Sequence, residues 1–265
     1  MITTTDQLNR TLIFKNYPKR IISLVPSQTE LLYDLGLRDE VVGITKFCIH
    51  PEEWFDSKTR IGGTKNLNLK KIQSLKPDLI IANKEENDES QINTLMKEFP
   101  VWISDIRKLE DALVMIEEIS CIVNKKKKGV DLINKIILKF ETLKAKKKKL
   151  ISCAYLIWKN PIMTVGSDTF ISEMMNYAGF QNVFSGKERY PQVTINDLKN
   201  VNPDVVFLSS EPYPFKEKEV SEFKKLMPVS EIVLVDGEMF SWYGSRLLKS
   251  PSYFSKVRGR IKSAL

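Results

Sequence analysis

Cys48 and His50 stand two residues apart, directly before Pro51, and His50 is the chain's one histidine. In an extended segment, side chains two apart point the same way. A thiolate and an imidazole facing one point are donors suited to zinc, haem iron or cobalt. The same pair could open a Cys–His nucleophilic couple, or be a buried thiol beside a locally bonded loop histidine. A structural zinc site needs four ligands, so two residues alone are no such site. Further on, Gly62-Gly63-Thr64-Lys65-Asn66 offers backbone amides and a cation to an anion. It lacks the Gly-x-x-x-x-Gly-Lys-Ser/Thr spacing of a nucleotide loop. A structural turn is its plain reading, with Lys65 the candidate for a ligand carboxylate or phosphate.

Three more groups follow apolar runs that read as strands. Glu85 and Glu86 follow Leu79–Ala82, Trp158 ends Ile151–Trp158, and Trp242, Tyr243 and Arg246 follow the run at 231–237. Ligands of open α/β sheets sit at the carboxyl ends of strands. Glu86 is therefore placed to meet a cation or Lys65, or to sit in a solvated loop; the tryptophans either wall a flat ligand or pack in the core, and Arg246 is placed to hold ligand carboxylates.

Those positions depend on an alternation of strands and helices. The apolar runs at 20–26, 41–45, 78–82, 101–105, 151–158, 182–184, 204–210 and 231–237 read as strands. The segments from Ser27 or Thr29 to Gly36, and 68–75, 88–98, 109–123, 126–146, 168–178, 194–200, 216–226 and 247–263, read as helices. Two phrases recur in order. Glu30–Leu37 (ELLYDLGL) matches Glu173–Phe180 (EMMNYAGF), and 75–82 (LKPDLIIA) matches 201–208 (VNPDVVFL). The chain is thus expected to be an α/β protein of two Rossmann-like lobes with parallel sheets: 1–124, a connecting helix at 125–149, and 150–265, with a ligand cleft between the lobes. The halves differ in one interval. Gly36 and Pro77 are 41 residues apart, Gly179 and Pro203 only 24. The 17 extra residues fall in a loop carrying Cys48, His50, Trp54 and the Gly-Gly-Thr-Lys turn.

The chain has 265 residues, 42% of them hydrophobic, enough for a sizeable core. No run of 18 apolar residues suggests a membrane span. Three scattered cysteines without a CxxC pair give no disulfide framework. The first residues lack the pattern of a secretory signal, so a cytoplasmic location is expected for the sequence as written, and a periplasmic or cell-surface one if a leader is removed. The net charge of +8 is concentrated: residues 125–149 hold 11 lysines against Asp131 and Glu141. That run is either a solvated helix face or a surface for an anionic partner. Phe140 is the run's one aromatic and no series of rings interleaves with its lysines, so no nucleic-acid partner is expected.

Taken together, RIISLVPSQTELLYDLGL, VVGITKFCIHP, NLKKIQSLKPDLIIA, GSDTFISEMMNYAGFQNVF and LKNVNPDVVFLSS resemble the helical-backbone substrate-binding proteins of ABC importers. These take cobalamin, haem or ferric siderophores, and the cobalamin-binding member is the nearest likeness. The resemblance covers about residues 20–265. It implies a monomer, not embedded in the membrane, that is not an enzyme, requires no cofactor, and binds a small-molecule metal complex for an ABC permease. Phe47 matches an aromatic after the second strand, and Tyr190-Pro191-Gln192 matches a Trp-Pro-Gln turn. Thr64 stands where the cobalamin-binding member has a tryptophan. Permease docking by one glutamate per lobe maps onto Glu89 and, displaced from Asn196, onto Asp197. Cys48 or His50 would reach the metal. The alternatives are a cytosolic metal-cofactor enzyme or chaperone using Cys48 and His50, and an interaction module reading a partner through the lysine run.

Overall fold

The computed structural model describes residues 1–144 and 149–262. Residues 145–148, which include most of the second lysine run, and Ser263, the last residue of the expected closing helix, lie outside the described residues. The chain divides into two compact units. The first comprises Met1–Ile106, Glu110–Lys135 and Tyr243–Arg246; the second comprises Arg107–Leu109, Ile136–Trp242 and the chain from Leu247.

The first unit opens with a hairpin that the sequence patterning did not suggest, β1 (Ile2–Thr5) antiparallel to β2 (Thr11–Phe14). Then come β3 (Ile21–Ser23), α1 (Pro26–Asp34), β4 (Val41–Ile44), α2 (Glu52–Ser57), β5 (Thr59–Arg60), α3 (Leu69–Ser74), β6 (Leu79–Asn83), α4 (Glu89–Met96), β7 (Val101–Ser104), α5 (Leu109–Ile122) and the start of α6 (Lys126–Lys144). The five strands β5-β4-β3-β6-β7 form one parallel sheet. All residues of β3, β6 and β7 are buried, as expected of strands covered on both faces. Helix α6 is 19 residues long, about 28 Å; its first ten residues belong to this unit.

The second unit contains β8 (Ile151–Trp158), β9 (Met163–Thr164), α7 (Phe170–Tyr177), β10 (Phe180–Asn182), α8 (Ile195–Val201), β11 (Val205–Ser209), α9 (Glu217–Leu226), β12 (Glu231–Val235), α10 (Glu238–Ser241) and α11 (Ser250–Lys262). Strands β10-β8-β11-β12 are parallel, and the short β9 runs antiparallel to β8. Its order is that of β4-β3-β6-β7 in the first unit, so the repeat read from sequence is a repeat of topology.

The recurring residues have the same tasks in both copies. Gly36 after α1 and Gly179 after α7 have φ of +87° and +85°, the left-handed turn that ends a helix with least strain at glycine. The two Pro-Asp turns also correspond. Asp78 accepts from the Lys19 and Arg20 amides, both at 2.8 Å, at the amino end of β3. Asp204 accepts from the amide (3.0 Å) and hydroxyl (2.7 Å) of Ser152 at the amino end of β8. Each carboxylate fixes the start of the strand beside its own.

Three local expectations change. The 17 additional residues are not a plain loop: they build α2 and the edge strand β5, and Trp54 of α2 is buried. Helix α1 starts at Pro26, not with a Ser27 or Thr29 cap; proline's fixed φ suits the first helical position, and its missing N–H costs nothing there. Thr29 instead donates to Val25 O at 2.9 Å. The strand expected at 182–184 is instead β10, 180–182, because Phe180 pairs with Ile151.

Replacing Asp204 or Asp78 with Ala leaves two donors without their charged acceptor and should lower stability by about 1–3 kcal/mol in urea unfolding. Asp39→Ala, on the exposed surface, should stay within about 0.5 kcal/mol of the parent. Equal midpoints for all three would remove the Pro-Asp turns from the account of the fold.

Candidate functional site

In the first unit, the segment after β4 turns at once instead of running extended. Cys48 N donates to Thr45 O at 3.2 Å, and Ile49 N to Phe47 O at 2.9 Å. The turn drives Cys48 inward. Its Sγ is buried and lies 3.1 Å from the hydroxyls of both Thr29 and Thr45. Burial pushes the thiol up to about 11, against the pull of those hydroxyls, so it is a neutral thiol at physiological pH, whereas nucleophiles and soft metal ligands are thiolates. His50 is half-buried. Among the described residues, no three His, Cys, Asp or Glu side chains converge as a metal-ligand set.

The same turn leaves the ring of Phe47 outside, 51% exposed. Gly63 lies against it: a Cβ there would be 3.1 Å from the ring edge. Lys46 Nζ is 5.0 Å from the ring centroid. The Gly-Gly-Thr-Lys turn is fastened to the loop after β6. Lys65 Nζ donates to the carbonyls of Glu85 (2.5 Å) and Asn87 (3.0 Å), and Asn87 Nδ2 donates to Thr64 O at 3.1 Å. Asn83 Oδ1 accepts from the Glu85 and Glu86 amides. Lys65 thus braces two loops. Glu86 was expected to meet a cation or Lys65; its Oε1 accepts instead from Tyr243 Oη at 2.6 Å. Burial, then the Glu86 charge, pushes that phenol well above its usual range. Arg246 was expected to hold ligand carboxylates. It is 6% exposed, and its Nε donates to Glu30 at 2.8 Å, forming an internal ion pair. Glu89 is exposed as the first residue of α4, on the carboxyl side of this sheet, next to the capping Asp88.

In the second unit, Trp158 ends β8 with 38% of its surface exposed. Its Nε1 donates to Asn160 O at 3.1 Å, and its ring meets Tyr213 edge-on at 5.7 Å. Tyr190 is half-buried, with Arg189 5.7 Å from its centroid. Trp242 is buried at 6% exposure and belongs to the packing more than to an open wall. Asp197 is spent locally: it accepts from the Thr194 amide and hydroxyl at 2.7 Å each, and those amide and side-chain bonds hold its carboxyl below the usual range.

One group was named in the sequence without a role of its own, and one was not singled out at all. Tyr243 lay in view beside Trp242, but its partner is 157 residues away. Glu211, just after β11, accepts from Ser241 Oγ. Burial pushes its carboxyl up to about 7, with Ser241 and Trp242 opposing and the charges of Glu238 and Asp236 assisting. Its position after an apolar run was the available signal.

A folded-state carboxyl raised from 4.5 to about 7 binds its proton more tightly than the unfolded chain. The associated stability is therefore full below about pH 4.5 and is lost as pH rises through about 7. Thermal or urea unfolding at pH 5 and pH 8 should show a loss of up to about 3 kcal/mol that Glu211→Gln abolishes; an identical pH dependence in the variant would refute the assignment.

With this geometry in place, comparisons with known proteins converge. A family described as periplasmic binding protein matches residues 21–228. The vitamin B12-binding protein of Vibrio campbellii is 31% identical over 201 residues, covering 74% of this chain and 73% of its own length. A Bacillus subtilis ABC transporter substrate-binding lipoprotein, YvrC, described as uncharacterized, is 30% identical over 217 residues, covering 77% and 68%. Among solved structures, the periplasmic vitamin B12-binding protein BtuF of Vibrio cholerae aligns with a TM-score of 0.80 at 23% identity, over 93% of this chain and 98% of the other. The fold is therefore that of this structure, and the chain belongs to the periplasmic binding protein family.

Proposed function

We propose that the chain is a non-catalytic substrate-binding protein of an ABC importer, taking a large, flat, metal-containing ligand: a corrinoid, haem or ferric siderophore. The observation that carries this reading is the pair of aromatic rings left in solvent at the carboxyl ends of strands, Phe47 in one unit and Trp158 in the other, at 51% and 38% exposure. Exposed rings held by neighbouring groups offer apolar area to a ligand at little ordering cost. The B12-binding relatives support the same class. So do solved neighbours at lower identity, one holding two haems and one from a ferric-hydroxamate transport system. Tyr190 and Lys65 are secondary contacts in this reading. The ligand's metal is cargo, reached by His50 if by any side chain, since Cys48 is a buried neutral thiol. The partner is an ABC permease, met by Glu89 and, in the second unit, by the surface around Asn196 and Asp197. The periplasmic and lipoprotein relatives favour a location outside the cytoplasm.

The test is titration with cyanocobalamin, hemin and a ferric hydroxamate, followed by calorimetry and by the cofactor absorbance bands. Saturable one-to-one binding of one of them is expected, weakened about tenfold or more by Phe47→Ala or Trp158→Ala. Cys48→Ser should leave affinity unchanged, and a band shift lost only in His50→Ala would identify metal ligation. No saturable binding of any of the three would sink the reading.

A further inference from the structure

Both cations expected to hold a ligand's carboxylates are taken by the protein. Lys65 donates to two carbonyls, and Arg246 pairs with Glu30. At the carboxyl edge of the first unit, Lys84 is spent as well, on Asp105 at 2.7 Å. Lys46 is not. It is exposed and stands directly before Phe47. Among the described residues it makes no ion pair. Its Nζ lies 5.0 Å from the centroid of the Phe47 ring.

This ammonium is held in place. Lys46 N donates to Gly62 O at 2.8 Å. Its stem and the ring of Phe47 rest against the same glycine: a Cβ on Gly63 would lie 3.4 Å from Lys46 Cε and 3.1 Å from Phe47 Cε2. Gly63 itself is fixed, its amide donating to Asn66 O at 2.8 Å. The backbone of the turn thus seats a ring and keeps a cation beside it. The two adjacent glycines serve different ends. Gly62 has a φ of +107°, which the turn requires, whereas Gly63 makes room for the side chains laid on it. Acids also follow β4 and β6. Glu86 accepts from Tyr243, Glu53 from Tyr33 Oη at 2.9 Å, and Asp88 from the Gln91 amide at 3.0 Å. Glu52 and Glu89 are exposed at the first positions of α2 and α4, and Glu85 is half-buried after β6. With both signs present, no one-sided field draws an anion from a distance; Lys46 acts on a group that reaches it. In the second unit the comparable cation, Arg189 beside Tyr190, is shared with Asp168.

We infer that Lys46 determines which flat ligand is taken, by pairing with a carboxylate at the margin of a ring system laid on Phe47. This rests on the ligand reading proposed above and narrows it. The apolar area of Phe47 serves a corrinoid, a haem or a siderophore alike. A corrinoid margin of uncharged amides gains little from an ammonium there. A haem, with its propionates, presents the charged acceptors that a three-donor ammonium binds. The class selected is therefore a planar macrocycle with peripheral carboxylates.

The experiment is titration of the full chain with hemin, with hemin dimethyl ester, whose propionates are capped, with cyanocobalamin and with a ferric hydroxamate. The parent is compared with Lys46→Met, Lys46→Arg and Phe47→Ala. Hemin is expected to bind the parent at least about fivefold more tightly than its ester. Lys46→Met should remove that preference while leaving the affinity for the ester within about twofold. Lys46→Arg should keep the preference, a rescue by charge that a merely structural lysine would not show. Phe47→Ala should weaken hemin and ester alike. Equal affinity of the parent for hemin and ester, or a preference unchanged in Lys46→Met, would overturn the inference. So would saturable binding of cyanocobalamin or the hydroxamate that is tighter than that of hemin. Those outcomes leave the importer reading standing; binding of none of the four compounds sinks that reading and this inference with it.

Discussion

Each unit is organised around one carboxylate at the amino end of its sheet. Asp78 and Asp204 stand just before β6 and β11; Asp78 accepts from the Lys19 and Arg20 amides that lead into β3, and Asp204 from the Ser152 amide at the start of β8. Parallel strands are joined only by long crossovers, so no tight turn sets their register. A charged acceptor holding the neighbouring strand's first donors does so instead. Once that pair is fixed, the strand ends, and hence the loops at the carboxyl edge, follow. The Pro-Asp phrase recurs because the task recurs.

At the carboxyl edge of the first unit, most polar side chains serve the protein. Glu30 pairs with Arg246, Glu86 with Tyr243, and Lys65 with two backbone carbonyls. Buried charges require such partners, and here the partners come from the short segment Tyr243–Arg246, which joins the first unit although the surrounding chain belongs to the second. With these charges paired, the apolar ring of Phe47 faces outward at 51% exposure, beside the exposed Lys46 and Ile49. That arrangement suits a ligand recognised by area and shape more than by ion pairing.

The two edges of the sheet differ in character for the same topological reason. Helices run back from the carboxyl edge, so the α5–α6 junction and the residues leading into the strands gather at the amino edge. Charge that is scattered along the sequence, basic at Lys19, Arg38, Lys76 and Lys125–Lys128 and acidic at Asp34, Asp39 and Glu98, is thereby collected at one edge, something the concentration of lysine at 125–149 suggests only in part.

The sequence determined the scaffold. Alternating apolar runs and helical periods, the two glycines that end α1 and α7, and the duplicated Pro-Asp turn were enough to find two α/β copies, because each rests on local backbone preference or burial. It also located the difference between the copies, though not that the added residues form α2 and β5, since a two-residue edge strand exists only by pairing with β4. Tertiary structure alone decided the fate of the chemical groups. Cys48 and His50 look like a pair in sequence, yet a turn after β4 buries the thiol between two threonines. Arg246 looks like a ligand contact, yet Glu30, 216 positions earlier, takes its guanidinium. The reactivity of a side chain depends on its desolvation and its partners, and both are set by residues distant in sequence that the fold brings within hydrogen-bonding reach.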